Sequence, residues 1–303
     1  MLYWLFYETL FPHFTPFRVF GYVTFRTAAA SLLALFLSVV LGPWLIRRLR
    51  EFQIGQHIRE EGPRSHQKKA GTPTMGGVLI VVSIVLPTLL LTNLRNLYVW
   101  IALFGLVSYA AIGFWDDLSK VRQRRNLGLT GRRKFALQCL VAFLIGVALL
   151  FLHARGGYST AMNVPFFKWF KPELLIHSWL NNPLTYPLAF VFFFAFLVLV
   201  IVGSSNAVNL TDGLDGLAIG LMIIAAAAMT VLTYVSGHAA FANYLGLARL
   251  PGAAELSIFC GAMMGASIGF LYYNAHPAEV FMGDVGSLAL GGGLGVVAVL
   301  IKK

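Results

Sequence analysis

Five aspartates are the residues of this chain best suited to chemistry, because their surroundings are largely apolar. They are the only aspartates among the 303 residues: Asp116, Asp117, Asp212, Asp215 and Asp284. Each of the three groups lies where a long apolar run meets a polar loop. Ionised side chains beside hydrocarbon are costly and usually serve a function. Carboxylate oxygens are hard ligands of the kind that Mg²⁺ prefers.

Asp212 and Asp215 belong to the polar loop NAVNLTDGLDG, residues 206–216, between the apolar runs 184–202 and 217–235. Each run is long enough to cross a bilayer as a helix. If the second helix begins at the glycine after Asp212, both carboxylates lie near its N-terminus on one face and can hold a metal or a polar ligand. An N-cap role for Asp212 and a first-turn role for Asp215 are the alternative.

Asp116 and Asp117 end the third apolar run, at about residues 98–115. Adjacent residues on a helix point about 100° apart, so we expect only one of them to face a given ligand. The sequence does not indicate which one.

The composition predicts an all-α, polytopic membrane protein, because 58% of the residues are hydrophobic and only 12% are charged. Cys139 and Cys260 each lie in an apolar run, so we expect no disulfide framework. We predict a helical bundle with about seven full transmembrane helices and a short or truncated eighth. The spans are expected near residues 23–46, 78–91, 98–115, 135–153, 184–202, 217–235 and 256–273, with the short one at 288–301.

The net charge of +11 arises mainly from two loops, at about 47–72 and 120–134, that each carry seven Lys or Arg residues. The positive-inside rule accounts for this placement without nucleic acid as a partner. It predicts that both loops are cytoplasmic, that the N-terminus is outside, and that all five aspartates lie at the cytoplasmic face. Carboxylates, lysines and glycine-rich turns at one face are what Mg²⁺-assisted chemistry on a phosphate requires.

Electrostatics supports a metal ion in such a site. Two phosphate charges about 4 Å apart repel by about 4 kcal/mol at a surface-like dielectric, which a divalent cation and lysines would offset. The cysteines and histidines show no zinc-ligand spacing.

Four motifs occur in order along the chain: KAGTPTMGG at 69–77, GFWDD at 113–117, NAVNLTDGLDG at 206–216 and VFMGDVGS at 280–287. Together they resemble the phospho-N-acetylmuramoyl-pentapeptide-transferase family, within the polyprenyl-phosphate hexose-1-phosphate transferase superfamily. The resemblance implies that undecaprenyl phosphate attacks the β-phosphate of UDP-N-acetylmuramoyl-pentapeptide (UDP-MurNAc-pentapeptide). The products would be lipid I and UMP, with Mg²⁺ as cofactor.

The resemblance also implies residue roles. Asp284 would be the principal Mg²⁺ ligand, and Asp116 and Asp117 would contact the metal and phosphate, one of them deprotonating the lipid phosphate. Asn209, Asp212 and Asp215 would line the nucleotide end of the cleft. Asn274 and Phe281 would bind the uracil, and Lys69, Lys120 and Lys134 would neutralise phosphate charge. Two points stay open. One is which aspartate acts as the base, and the other is whether the lipid phosphate attacks directly or a covalent phospho-aspartyl intermediate forms first.

Members of that family continue through two more spans and a loop with a histidine-rich motif. The resemblance therefore implies that residues 1–303 form a single multi-span membrane transferase domain, C-terminally incomplete relative to the family. The activity of this chain stays open for that reason. The implied location is the bacterial cytoplasmic membrane. Related enzymes often form homodimers, but we find no small-xxx-small seam that marks an interface.

Three alternatives compete with this interpretation. A sister transferase would use UDP-N-acetylglucosamine instead. A cation-coupled transporter would place its carboxylates near the bilayer midplane, often on broken helices in repeated halves, whereas these aspartates lie at one face. An inactive scaffold is the third.

Overall fold

The computed structural model describes residues 1–51, 72–123, 128–162, 170–180 and 184–302, and these are mainly helical. Short helices lie at Trp4–Leu10, Thr15–Gly21, His177–Leu180 and Ala239–Tyr244. The eight long helices are α1 (Val23–Glu51), α2 (Gly77–Leu91), α3 (Leu97–Gln123), α4 (Gly131–Ala154), α5 (Tyr186–Thr211), α6 (Leu217–Gly237), α7 (Ala253–Asn274) and α8 (Gly283–Ile301).

Seven of the long helices in the described residues are long and apolar enough to cross a membrane, which confirms the predicted all-α membrane bundle. The short apolar helix is α2, with 15 residues, rather than the last one. Helix α8 begins at Gly283, more than a turn before the predicted 288, and reaches 19 residues. Its polar first turn is helical because other helices surround it and supply hydrogen-bond partners.

Helix α8 lies at the centre of the bundle, because most of its residues are buried and it packs against α2, α3 and α5. Small residues permit these contacts. A Cβ on Gly77 of α2 would overlap the backbone of Gly286, and one on Gly291 would lie 2.5 Å from the carbonyl oxygen of Ser204 on α5. Helices in lipid associate largely through such close backbone packing, because lipid tails are as apolar as the side chains and provide little hydrophobic driving force for association.

A second seam of small residues joins α7 to α1. Gly261, Gly265 and Gly269 recur every four residues, and a Cβ on Gly265 would overlap the carbonyl oxygen of Ser31. A Cβ on Gly261 would lie 2.8 Å from the side chain of Thr27. This seam of small residues therefore serves a contact within the chain, and the expectation that no such seam marks an interface between chains stays a prediction.

The end of the bundle far from the aspartates is held by a buried ion pair. The guanidinium of Arg26 on α1 is 2% exposed and binds both carboxylate oxygens of Glu255 on α7, at 2.7 and 2.8 Å. The same guanidinium donates to the carbonyl oxygen of Leu91, the last residue of α2. One guanidinium thus joins three helices, through a bidentate ion pair to α7 and a hydrogen bond to α2.

The other end of the bundle gathers the chemically interesting residues. Helices α3, α5 and α7 end there, and α2, α4, α6 and α8 begin there. Hydrogen bonds connect these helix ends to one another. All five aspartates therefore lie at one end of the bundle, as the sequence predicted.

Candidate functional site

Three carboxylates form the centre of the site. Oxygens of Asp116, Asp117 and Asp284 all lie within 4.8 Å of one another. Asp116 and Asp117 belong to the last turns of α3, and Asp284 lies in the first turn of α8. The expectation that only one of the adjacent pair faces the site was wrong, because the start of α8 lies against the end of α3 and both side chains reach it.

Two glycines allow this approach. A Cβ on Gly113 of α3 would overlap the carbonyl oxygen of Asp284. Gly283 has a φ of +71°, and a Cβ there would lie 2.6 Å from Oδ2 of Asp117. Both the left-handed conformation and the close contact therefore require glycine at position 283.

Backbone amides hold the two adjacent carboxylates. The Leu129 N–H donates to Oδ1 of Asp116 at 2.7 Å, and the Val285 N–H donates to Oδ2 of Asp117 at 3.2 Å. The second donor lies in the first turn of α8, where amide N–H groups have no partner within the helix and favour a negative charge. The sequence did not reveal either contact, since both depend on how distant segments pack.

Two lysines neutralise the carboxylates. The Lys120 Nζ lies 2.6 Å from Asp116 Oδ2, 3.3 Å from Asp117 Oδ1 and 2.8 Å from Asp284 Oδ2. The Lys134 Nζ, from the first turn of α4, lies 2.8 Å from the same Oδ2 of Asp284. The structure thus brings together both of these sequence-predicted lysines. The third, Lys69, lies outside the described residues.

The other oxygen of Asp284 has its own donor. The side-chain amide of Asn209 donates to Asp284 Oδ1 at 2.7 Å and to the hydroxyl oxygen of Ser287 at 2.8 Å. Ser287 in turn donates to the carbonyl oxygen of Gly283 at 3.0 Å. Asn209 therefore lies beside Asp284, and the role at the nucleotide end that the resemblance implies for it stays a prediction. Ser287 was missed, although its position three residues after Asp284 places it on the same helical face.

Asp212 and Asp215 lie in the turn between α5 and α6. Helix α5 ends at Thr211, and α6 begins at Leu217 after Gly216, which has a φ of +76°. The prediction that both aspartates share a helical face at the start of α6 was wrong, because that left-handed glycine separates them from the helix. Burial, together with the charges of Asp284, Asp117 and Asp215, raises the pKa of Asp212 to about 7.

The Asp215 carboxylate joins this turn to the loop between α7 and α8. It lies 3.0 Å from Nδ1 of His276 and accepts the Ala278 N–H at 3.4 Å, and its side chain is 4% exposed. His276 itself is exposed. The sequence did not connect these two residues, which lie far apart along the chain.

Asn274 and Phe281 flank the same loop. The buried Asn274 donates to the carbonyl oxygen of Val280 at 2.9 Å and accepts the Gly216 N–H at 3.1 Å, so its amide binds the loop to the turn before α6. Phe281 is half-buried and hydrogen-bonded through its backbone to Pro73 and Gly76. Asn274 therefore lies next to the turn of Asp212 and Asp215, whereas the backbone contacts of Phe281 are with the segment before α2. The roles of both residues toward uracil stay predictions.

The donor set fits a hard divalent cation. Its three side chains offer only carboxylate oxygens, and the group has no sulfur or imidazole ligand. Such oxygens suit Mg²⁺ better than Zn²⁺.

Comparisons with known proteins give a consistent result. The sequence profile of glycosyl transferase family 4 matches residues 99–302, and phospho-N-acetylmuramoyl-pentapeptide-transferase signature 1 matches residues 69–81. The phospho-N-acetylmuramoyl-pentapeptide-transferases of Koribacter versatilis and Solibacter usitatus are 63% and 65% identical to this chain, and that of Acidobacterium capsulatum is 62% identical. Each of these alignments covers 100% of this chain and 80% of the relative.

Proposed function

Because the chain belongs to the phospho-N-acetylmuramoyl-pentapeptide-transferase family, we propose that it transfers phospho-MurNAc-pentapeptide from UDP-MurNAc-pentapeptide to undecaprenyl phosphate, with Mg²⁺ as cofactor. At the coarser level the protein is a membrane-embedded phospho-sugar transferase. An oxygen of the lipid phosphate attacks the β-phosphorus of the nucleotide substrate. The bond from that phosphorus to UMP breaks, UMP leaves, and lipid I remains.

The observation that carries this proposal is the convergence of three carboxylates and two lysines at one end of the bundle. We assign Asp284 as the principal Mg²⁺ ligand, with Asp116 and Asp117 beside it. A bound Mg²⁺ would neutralise phosphate charge and polarise the reacting phosphoryl group.

The chain's own residues have the remaining roles. Lys120 and Lys134 each place an ammonium beside Asp284, where it can neutralise an incoming phosphate. A carboxylate of the adjacent pair accepts the proton of the lipid phosphate. The backbone N–H groups of Leu129 and Val285 keep these carboxylates oriented.

We place the nucleotide at the neighbouring turn. Asp212 and Asp215 lie there next to Asn274, and Phe281 lies in the adjoining loop between α7 and α8. The hydrogen bonds of Asn274 and the contact of Asp215 with His276 hold this surface together. The proposal also includes Lys69, in the matched signature, as a phosphate-binding residue.

The placement of the protein in the membrane is also a proposal. The two basic loops favour an orientation with the active face in the cytoplasm and the N-terminus outside the bacterial cytoplasmic membrane. We propose that the chain forms one multi-span domain. It spans 80% of the length of the relatives named above. A homodimer stays a prediction.

The experiment measures UMP release by the purified chain in detergent with undecaprenyl phosphate, UDP-MurNAc-pentapeptide and Mg²⁺. EDTA is expected to abolish release and excess Mg²⁺ to restore it, and Asp284→Asn should lower kcat at least about 100-fold. Glu51→Gln is the matched control, because that carboxylate is 59% exposed at the end of α1. Release of UMP with UDP-N-acetylglucosamine as the donor, but not with UDP-MurNAc-pentapeptide, would favour the sister transferase. No release from either substrate would overturn the proposal.

A further inference from the structure

A pair of amide side chains joins α4 to α5 one helical turn deeper in the bundle than the carboxylate cluster. Asn206 Nδ2 donates to Gln138 Oε1 at 2.8 Å, and Gln138 Nε2 donates to Asn206 Oδ1 at 3.4 Å. Gln138 is 1% exposed, and Asn206 also donates to the carbonyl oxygen of Val202 at 2.9 Å. The transfer reaction described above uses neither residue.

The position of this pair relates it to Asp284. Lys134 precedes Gln138 by four residues on α4, and Asn209 follows Asn206 by three on α5, so each amide shares a helical face with a residue of the site. Lys134 binds Asp284 Oδ2, and Asn209 binds Asp284 Oδ1. The two helices that hold opposite oxygens of the Asp284 carboxylate are therefore joined to each other one helical turn away from the residues that contact it.

Such a link has a physical effect that apolar contacts lack. Elsewhere the two helices meet through apolar contacts such as that of Gly146 with the Phe194 ring, which are close but not directional. The two hydrogen bonds add a directional constraint on the rotation and the axial offset of one helix against the other. Leaving one amide unpaired among helices is costly, which favours the paired arrangement.

We propose that Gln138 and Asn206 are positioning residues, which hold Lys134 and Asn209 at the spacing that orients the Asp284 carboxylate for Mg²⁺. The inference rests on the proposed function, because it assumes that Asp284 binds the metal. Residues that orient metal ligands through one intermediate contact typically change metal affinity or activity by about 10- to 100-fold when they are replaced.

The test exchanges the two amides. Gln138→Asn and Asn206→Gln each alter the reach of the pair, whereas the double variant keeps its summed side-chain length. Mn²⁺ binding, followed by the electron paramagnetic resonance of the free ion, is measured alongside kcat and the KM for the nucleotide substrate. We expect each single variant to weaken Mn²⁺ binding and lower kcat by about 10-fold, and the double variant to recover to within about threefold of the native values.

The matched control is Thr27→Val, which removes the 2.9 Å hydroxyl contact between Thr27 on α1 and Ser257 on α7, at the opposite end of the bundle. It is expected to lower the melting temperature without changing Mn²⁺ affinity. Gln138→Leu adds a variant that removes the amide entirely.

The outcomes separate this inference from the proposed function. Native Mn²⁺ affinity in Gln138→Asn and in Gln138→Leu would overturn the positioning role and leave the transferase proposal standing. Failure of the double variant to recover would also overturn it. A native protein that binds no Mn²⁺ would overturn the metal assignment itself, and this inference with it.

Discussion

Replacing Gly113 by alanine tests whether the contact between α3 and α8 places Asp117 beside Asp284. The added Cβ would overlap the Asp284 carbonyl oxygen and lie 2.6 Å from the Val285 nitrogen. The atoms it meets are backbone, so rotation of a side chain does not relieve the overlap. The start of α8 must then move by about 1 Å to reach an ordinary van der Waals separation.

This displacement predicts different effects on stability and on activity. Alanine gains about 1 kcal/mol over glycine in helix propensity, whereas overpacking costs about 1–3 kcal/mol. The net loss in the free energy of unfolding is therefore expected to be at most about 2 kcal/mol. A misplacement of about 1 Å at reacting groups can lower the rate about 100-fold. Gly113→Ala should thus fold almost normally and lose most of its UMP release.

The assay compares kcat for UMP release and the melting temperature of Gly113→Ala with those of Gly203→Ala. Gly203 lies inside α5, and a Cβ there would meet no atom within 4 Å among the described residues. This control is expected to keep its activity. Retention of at least a third of native activity in Gly113→Ala would refute the claim that glycine at 113 sets the geometry of the carboxylates.

Two further predictions concern stability. Arg26→Met leaves the carboxylate of Glu255 without its guanidinium and should lower the free energy of unfolding by about 3–5 kcal/mol. Adding Glu255→Met should recover part of this loss, and equal melting temperatures for Arg26→Met and the native protein would contradict the prediction. Because the folded-state pKa of Asp212 is raised to about 7, its contribution to stability is full below about pH 4, the pKa in the unfolded chain, and is lost as the pH rises toward 7. Asp212→Asn should remove this part of the pH dependence in metal-free buffer, and thermal unfolding between pH 5 and pH 8 measures it; an unchanged slope would count against the raised pKa.

Several features of the site followed from local sequence alone. The polar ends of the apolar runs indicated that Asp116, Asp212 and Asp284 lie at one end of the bundle, and the structure confirms this. The placement of the aspartates needed only the hydropathy of each segment and the alternation of loops between two faces. The position of Lys120 and Lys134 near phosphate chemistry was implied by the family resemblance, and both lysines contact Asp284.

Other features depended on contacts that no segment reveals by itself. Both Asp116 and Asp117 reach the cluster because Gly113 admits the start of α8, and the pairing of Asp215 with His276 joins two loops. The glycine pattern at residues 261–269 is visible in the sequence, but the pattern does not say whether its partner is another chain or α1.

Composition and apolar run length determined that this protein is a helical membrane bundle with its carboxylates at one face, because transfer of a segment into lipid depends on that segment's own residues. The tertiary structure decided which carboxylates, lysines and amides meet. Their distances depend on the rotation and offset of each helix, which are set by close contacts between glycines and backbones far apart in the chain.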